Sequence, residues 1–119
     1  MIHGASGGVG HILIQLAKAF SLVVVATCSN NERAQACKDI GADLALCRNT
    51  DNIVRAVFDF TGGHGVNAVI DCIGDGTTSI SLQALAVEGR LIQLASSDSM
   101  GLVNLRAIID KQVTPSFLL

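Results

Sequence analysis

Four of the seven residues from position 4 to position 10 are glycine, in the string His3-Gly4-Ala5-Ser6-Gly7-Gly8-Val9-Gly10. Residues 1–3, which lead into the glycines, are the stump of a strand. After it, Val9, Ile12, Leu13, Leu16 and Phe20 recur at helical spacing. Strand, glycine turn and helix start form the context in which a G-x-G-x-x-G pattern acquires physical meaning. Here Ala5 holds the first position, leaving Ala-x-Gly-x-x-Gly. Gly7 lets the backbone approach a pyrophosphate, and Gly10 allows the helix to pack closely on the strand. Ala5, Ser6, Gly7, Gly8, Val9 and Gly10 are therefore candidate phosphate-binding residues, acting through free N–H groups backed by the helix dipole. A tight strand–helix turn with no ligand also favours glycine, but rarely so many. No Gly-Lys-Ser/Thr follows, which excludes a P-loop.

The same alternation continues along the chain. Residues 22–27 (LVVVAT) are apolar on both faces, as befits a parallel strand covered by helices. Ser29-Asn30-Asn31-Glu32 reads as a capping box opening a second helix, with Gly41 placed to end it. Residues 43–47 form a short strand. Thr50 or Asp51 can cap a helix carrying Ile53, Val54, Val57 and Phe58, ended by Thr61-Gly62-Gly63. Residues 66–72 (VNAVIDC) form a strand, residues 77–87 a helix with Ile80, Ala84 and Val87 on one side, and residues 89–95 (GRLIQLA) another strand. A polar loop, a short helix near residues 105–110 and a last strand over 113–119 complete the pattern. Strand–helix alternation on this scale predicts an α/β fold with a doubly wound parallel sheet of the Rossmann type, six strands with helices on both faces.

The chain has 119 residues, one domain's worth (1–119), enough to bury roughly two-thirds of its unfolded surface. Hydrophobic residues make up 50%, charged residues 15%, and mean hydropathy is +0.51, which excludes a disordered polyelectrolyte. A net charge of −2 carries no basic footprint for nucleic acid. The apolar stretch 22–26 is far short of a membrane span, and Met1 leads into a glycine loop rather than a signal peptide. Cys28, Cys37, Cys47 and Cys72 form no C-x-x-C pair and sit in or beside apolar runs, where free thiols act as small hydrophobes. A reduced, cytoplasmic compartment is expected.

Two dehydrogenase readings fit the glycine string. Gly4-x-x-x-Gly8-x-Gly10 is the pattern of short-chain dehydrogenases, whose chemistry needs a tyrosine, and the chain has none. The string IHGASGGVGHILIQLAKAF instead resembles the start of the cofactor domain in the medium-chain dehydrogenase/reductase superfamily, specifically its zinc-independent quinone oxidoreductase branch. RAQACKDIGAD, FTGGHGVNAVIDCIG and LQALAVEGRLIQLAS have counterparts there in the same order. The resemblance implies a nucleotide-binding domain without its catalytic domain, from an enzyme that transfers hydride to a quinone, enone or carbonyl. The chain by itself is expected to be inactive. It departs from the family at Ser21, where a glycine usually ends the first helix, and at Pro115 within the last strand. Two alternatives share these motifs: an enoyl-reductase module of a larger synthase, and a stand-alone NADPH-binding or regulatory module without chemistry.

Cofactor choice is read after the second strand. NAD-selecting domains place a carboxylate there for the ribose 2′-hydroxyl, whereas this chain offers Cys28, Ser29, Asn30 and Asn31 before Glu32. The resemblance places Arg33 where NADP-dependent relatives carry a basic residue facing the 2′-phosphate, and Arg48 near the same phosphate. A forked guanidinium suits phosphate oxygens. With Ser29, these arginines favour NADP(H). The resemblance further implies Cys72, Ile73 and Gly74 beside the cofactor ribose and Leu94, Ala95 and Ser96 beside the nicotinamide amide. Cys72 reads equally as a buried hydrophobe and Asp71 as a structural carboxylate. His3, His11 and His64 have no metal-site spacing, so no metal is assigned, and no residue takes a catalytic label. The last strand should lie at the sheet edge, where Phe117, Leu118 and Leu119 invite pairing with a second copy, giving a homodimer.

Overall fold

A strand of two residues, β1 (Ile2–His3), leads through the glycine turn into the first helix, α1 (Gly8–Ala19). A computed structural model describes residues 1–74, 76–95 and 103–117. The chain divides into two compact units, Met1–Ile53 and Val54–Leu119.

In the first unit, β1 and α1 are followed by β2 (Val25–Cys28), α2 (Asn31–Asp39) and β3 (Leu44–Cys47). The three strands are parallel in the order β3-β2-β1, with Ile2 beside Ala26 and Cys28 beside Cys47. All four residues of β2 are buried, as a run apolar on both faces requires. The strand starts later than its apolar run, since Leu22 and Val23 are exposed.

The helical periodicity predicts α1, yet most of the residues that carry it do not face inward. Val9, Ile12, Leu16 and Phe20 are each more than half exposed. The buried side is Gly10 and Ile14, with Leu13 and Ala17 packed against the core of Ile2, Ala5, Val24, Ala26, Cys28, Ala34, Cys37 and Ala42. Gly10 decides this. A Cβ there would lie 2.6 Å from Ala5 Cα and closer still to the Gly4 carbonyl oxygen, so the helix can lie against the strand exit only on its Gly10 side.

The capping box is corrected by one residue. Asn30, not Ser29, is the N-cap of α2, its side-chain oxygen accepting from Arg33 N–H at 2.9 Å. Glu32 remains in the first turn, where its charge complements the dipole. Gly41 ends this helix as expected, at φ 118°. Asp43 ties the unit together by accepting from Val24 N–H at 2.7 Å and from Lys18 Nζ at 2.9 Å. These bonds hold its carboxyl below the ordinary carboxylate range. Their contribution is present at neutral pH and lost as the solution is acidified through that lowered value.

The second unit contains most of α3 (Ile53–Phe60), then β4 (Val66–Asp71), α4 (Thr78–Ala84), β5 (Leu85–Gln93), α5 (Leu105–Lys111) and β6 (Thr114–Phe117). Its strands are parallel in the order β4-β5-β6. The expected cap at Thr50 or Asp51 does not form at the start of α3. Asp51 instead turns back, its carboxylate accepting from Cys47 N–H at 2.7 Å. The helix expected over 77–87 stops at Ala84, where Leu85 turns extended, and its buried side is Ser81, Leu82 and Ala84 rather than Ile80 and Val87. Residues 85–88 join β5 across a register shift between Val66 and Ala68, and Glu88 takes a left-handed φ of 62°.

Lys111 closes α4. Its ammonium donates to the carbonyls of Leu82, Gln83 and Leu85 at 3.1, 2.6 and 2.8 Å and lies 5.6 Å from the Phe58 ring centre. Burial lowers its pKa. A cation belongs at this negative helix end. The last strand is at the sheet edge as expected, and Pro115 sits opposite Leu91 within it. Every residue of β6 is exposed, so a proline costs little there. Leu118 and Leu119 lie outside the described residues.

Candidate functional site

In the first unit, three strand exits come to one end. The glycine turn leaves β1, and Ala5 N–H donates to Thr27 O of β2 at 3.2 Å. His3 is fully buried and bonded to Thr27 Oγ1 at 2.6 Å, which makes it part of the strand pairing rather than a ligand. Gly7 is the N-cap of α1, in extended conformation with no side-chain cap, and no acidic residue occupies the first turn. Gly7 N–H is bonded to Gly4 O, and the helical ladder starts with His11 N–H on Gly7 O. The N–H groups of Gly8, Val9 and Gly10 are therefore the orphan donors of the helix start.

The glycines differ in what demands them. Gly10 is required by its contact with the turn's own backbone, as expected for close helix–strand packing. A Cβ at Gly7 would meet Gly4 O at 3.2 Å. At Gly8 it would meet nothing within 4 Å. Protein packing does not explain Gly8, whereas a ligand lying close over the helix start would. These residues fit a pyrophosphate. His11, exposed, places Nδ1 2.9 Å from Gly7 O and so braces the cap.

The β2 and β3 exits are stitched together. Ser29 O accepts from Asn49 Nδ2 at 2.8 Å and from Cys47 Sγ at 3.5 Å, while Arg48 N–H donates to Cys28 O at 2.9 Å. Ser29, Arg33 and Arg48 thus share one end of the unit, and no carboxylate is bonded to either guanidinium among the described residues. Asn49, which holds the two exits in register, has no motif in the sequence that marks it. Cys47 is pulled below its ordinary pKa by the Thr50 side chain and Asn49 backbone.

In the second unit, the organising group is Asp71. Fully buried at the end of β4, its Oδ1 accepts from Ile73 N–H (3.0 Å), Gly74 N–H (2.9 Å) and Thr77 Oγ1 (2.9 Å), and its Oδ2 from Ser81 Oγ (3.1 Å). It is a structural carboxylate, as expected. It shapes the loop that carries Cys72, Ile73 and Gly74 and docks the start of α4. Its carbonyl accepts from Leu94 N–H at 2.9 Å and from the buried Gln93 Nε2 at 3.2 Å, so the β5 exit with Leu94 and Ala95 lies beside the β4 exit. Burial, and secondarily the Asp71 charge, raise the Cys72 pKa and keep it a thiol. Thr77, Ser81 and Gln93 belong to this arrangement without any sequence signature. Ser96 lies outside the described residues. No group of three or more His, Cys, Asp or Glu able to hold a metal occurs among the described residues.

Parallel strands joined by helices, with a glycine turn opening α1, define a doubly wound α/β domain of the Rossmann type. Escherichia coli quinone oxidoreductase, solved in complex with NADPH, superposes with a TM-score of 0.90 at 28% identity over 99% of this chain and 37% of its own. A 2-haloacrylate reductase of Burkholderia sp. is 35% identical over 89 residues, 75% of this chain and 27% of that protein. A probable quinone oxidoreductase of Schizosaccharomyces pombe is 33% identical over 98% of this chain and 36% of its own length. The family model described as zinc-binding dehydrogenase matches residues 8–116. The chain belongs to that family, in the quinone oxidoreductase-like branch of the medium-chain dehydrogenase/reductase superfamily. It spans about a third of the length of these relatives.

Proposed function

We propose that this chain is the NADP(H)-binding domain of a quinone oxidoreductase-like enzyme that transfers hydride to a quinone, enone or carbonyl substrate. The observation that carries the reading is the start of α1: three orphan N–H groups, no first-turn acid, and a glycine at position 8 that packing leaves unexplained. The cofactor, when bound, supplies the hydride. The chain's own residues bind and orient it. Ala5, Ser6, Gly7, Gly8, Val9 and Gly10 hold the pyrophosphate, while Ser29, Arg33 and Arg48 face the 2′-phosphate. In the second unit, Cys72, Ile73, Gly74, Leu94, Ala95 and Ser96 are assigned to the ribose and nicotinamide on the family likeness. The NADPH complex of the E. coli relative supports the cofactor. The two alternatives, a synthase module and a module without chemistry, are not favoured by the relatives described above. Nucleic acid and membrane are not partners in this reading, and the compartment is the cytoplasm. Among the described residues no helix is long and apolar enough to cross a membrane.

Cofactor choice rests on Arg33. Its guanidinium is exposed, so a charge-assisted bond to the 2′-phosphate favours NADPH over NADH by about tenfold, the lower end of the range for such bonds. Arg33→Ala should lose most of that preference and leave NADH binding nearly unchanged, and rising salt should shrink it. Calorimetric titration of both cofactors into both proteins tests this. Equal affinities in the unmodified chain would sink the NADP assignment, and a preference intact in the variant would move it to Arg48.

The quaternary proposal is a homodimer through β6. That edge strand is exposed throughout, and Phe117 is 73% exposed. Light scattering at high protein concentration should give the dimer mass, and Phe117→Lys should shift it toward monomer. A monodisperse monomer of the unmodified chain would count against the pairing.

A further inference from the structure

Cys28 ends β2, Cys37 lies on α2, and their sulfurs are 3.3 Å apart, with each residue 1% exposed. A disulfide bond is about 2.05 Å long, so bridging them requires about 1.2 Å of approach. The structure makes that approach easy. Of the nine residues of α2 only Ala34 and Cys37 are buried, so the helix is held by thin packing and opens locally at low cost. The other thiols are differently engaged: Cys47 on Ser29 O, Cys72 in the second unit beside Asp71. Between Cys28 and Cys37 run Ser29, the Asn30 cap and Arg33, which is to say most of the loop assigned above to the 2′-phosphate.

We propose that Cys28 and Cys37 form an oxidisable dithiol, which a peroxide converts to an intramolecular disulfide pinning α2 to β2 and thereby weakening NADPH binding; the effect on binding rests on the NADP(H) reading. In the closed chain, burial and the neighbouring Cys28 push the Cys37 thiol up to about 12, and it is inert. When α2 opens, the thiol regains an ordinary value of about 8.5 and ionises in part. The Cys37 thiolate then attacks one oxygen of the peroxide. The O–O bond breaks, the sulfur becomes a sulfenic acid, and for hydrogen peroxide the leaving hydroxide takes up a proton as water. Reclosure brings this sulfur against Cys28, whose thiol attacks it. The S–S bond forms, the S–O bond breaks and a second water leaves. Two thiols are oxidised and the peroxide is reduced by two electrons. A dithiol reductant reverses the bond.

The full chain is treated with hydrogen peroxide, its remaining thiols are alkylated, and it is digested with trypsin without reduction. Cleavage after Arg33 turns the bridge into a link between two peptides, readable by mass as a loss of two hydrogens. The expected product links Cys28 to Cys37, disappears with dithiothreitol and in Cys37→Ser, and survives in Cys47→Ser and Cys72→Ser. A link to Cys47 instead, or over-oxidation of Cys37 without a link, overturns the proposal. Titrating NADPH and NADH into the oxidised and reduced chain reads the consequence: NADPH should weaken by about threefold or more, as a displaced guanidinium loses its paired geometry, with NADH little changed. Unchanged NADPH affinity overturns the control while the bridge stands. Failure of the reduced chain to bind NADPH overturns the cofactor reading instead, and the mass result is independent of it.

Discussion

Gly10→Ala is expected to cost about 3 kcal/mol of stability or more and to weaken NADPH binding over a hundredfold, whereas Gly8→Ala is expected to leave stability unchanged and still lose about tenfold in affinity. The two glycines lie two residues apart on one helix and differ in what a methyl group would strike. At position 10 it meets Ala5 Cα at 2.6 Å and Ala5 C at 2.7 Å, backbone atoms that cannot rotate away, so the helix must lift from the strand exit and take with it the N–H groups proposed to hold the phosphates. At position 8 it meets nothing within 4 Å. Alanine is also the better helix former there, so the fold has no reason to object. Any loss in Gly8→Ala therefore reports a ligand that comes close to the helix start. Urea unfolding and NADPH titration on both variants separate the outcomes. Full NADPH affinity in Gly8→Ala would remove the main support for a pyrophosphate over α1.

Asp71→Ala should cost about 3–5 kcal/mol, a large share of the ~5–15 kcal/mol that holds a domain together. Four donors converge on this fully buried carboxylate: two backbone N–H groups, the Thr77 hydroxyl and the Ser81 hydroxyl. Alanine leaves all four without their acceptor, inside a region where water does not replace it. Asp71→Asn keeps an oxygen for the three donors on Oδ1 and asks only Ser81 to reverse its hydroxyl, so its cost should be about 1–2 kcal/mol. Chemical denaturation gives the ordering, and hydrogen exchange should localise the loosening to the β4–α4 loop. Equal stability for the alanine variant would mean that the loop is held by something other than Asp71.

The candidate site was legible where its chemistry depends on residue types in fixed order. Glycines at 7, 8 and 10 after a strand stump predict a backbone anion cradle, and the lack of a carboxylate after β2 argues against NAD. Asn49, Thr77, Ser81 and Gln93 could not be found this way. Each acts through a side-chain hydrogen bond to a partner on another element, and a single polar residue carries no periodic signal. The N-cap lies one position beyond the one the pattern at residues 29–32 predicts, because Ser and Asn are both good N-caps and only the chain's exit from β2 decides which of them meets the helix N–H groups.

The order of strands and helices along the chain and the turn that opens α1 follow from the sequence by itself, since each rests on local pattern. The facing of the elements does not. In α1 the apolar residues Val9, Ile12, Leu13, Leu16 and Phe20 recur at helical spacing, yet of these Leu13 alone packs on the core, on the side that carries Gly10, Ile14 and Ala17. Periodicity reports that a helix has apolar faces. Which one turns inward is decided in three dimensions, where the backbone of Ala5 admits only the side that carries no Cβ at position 10.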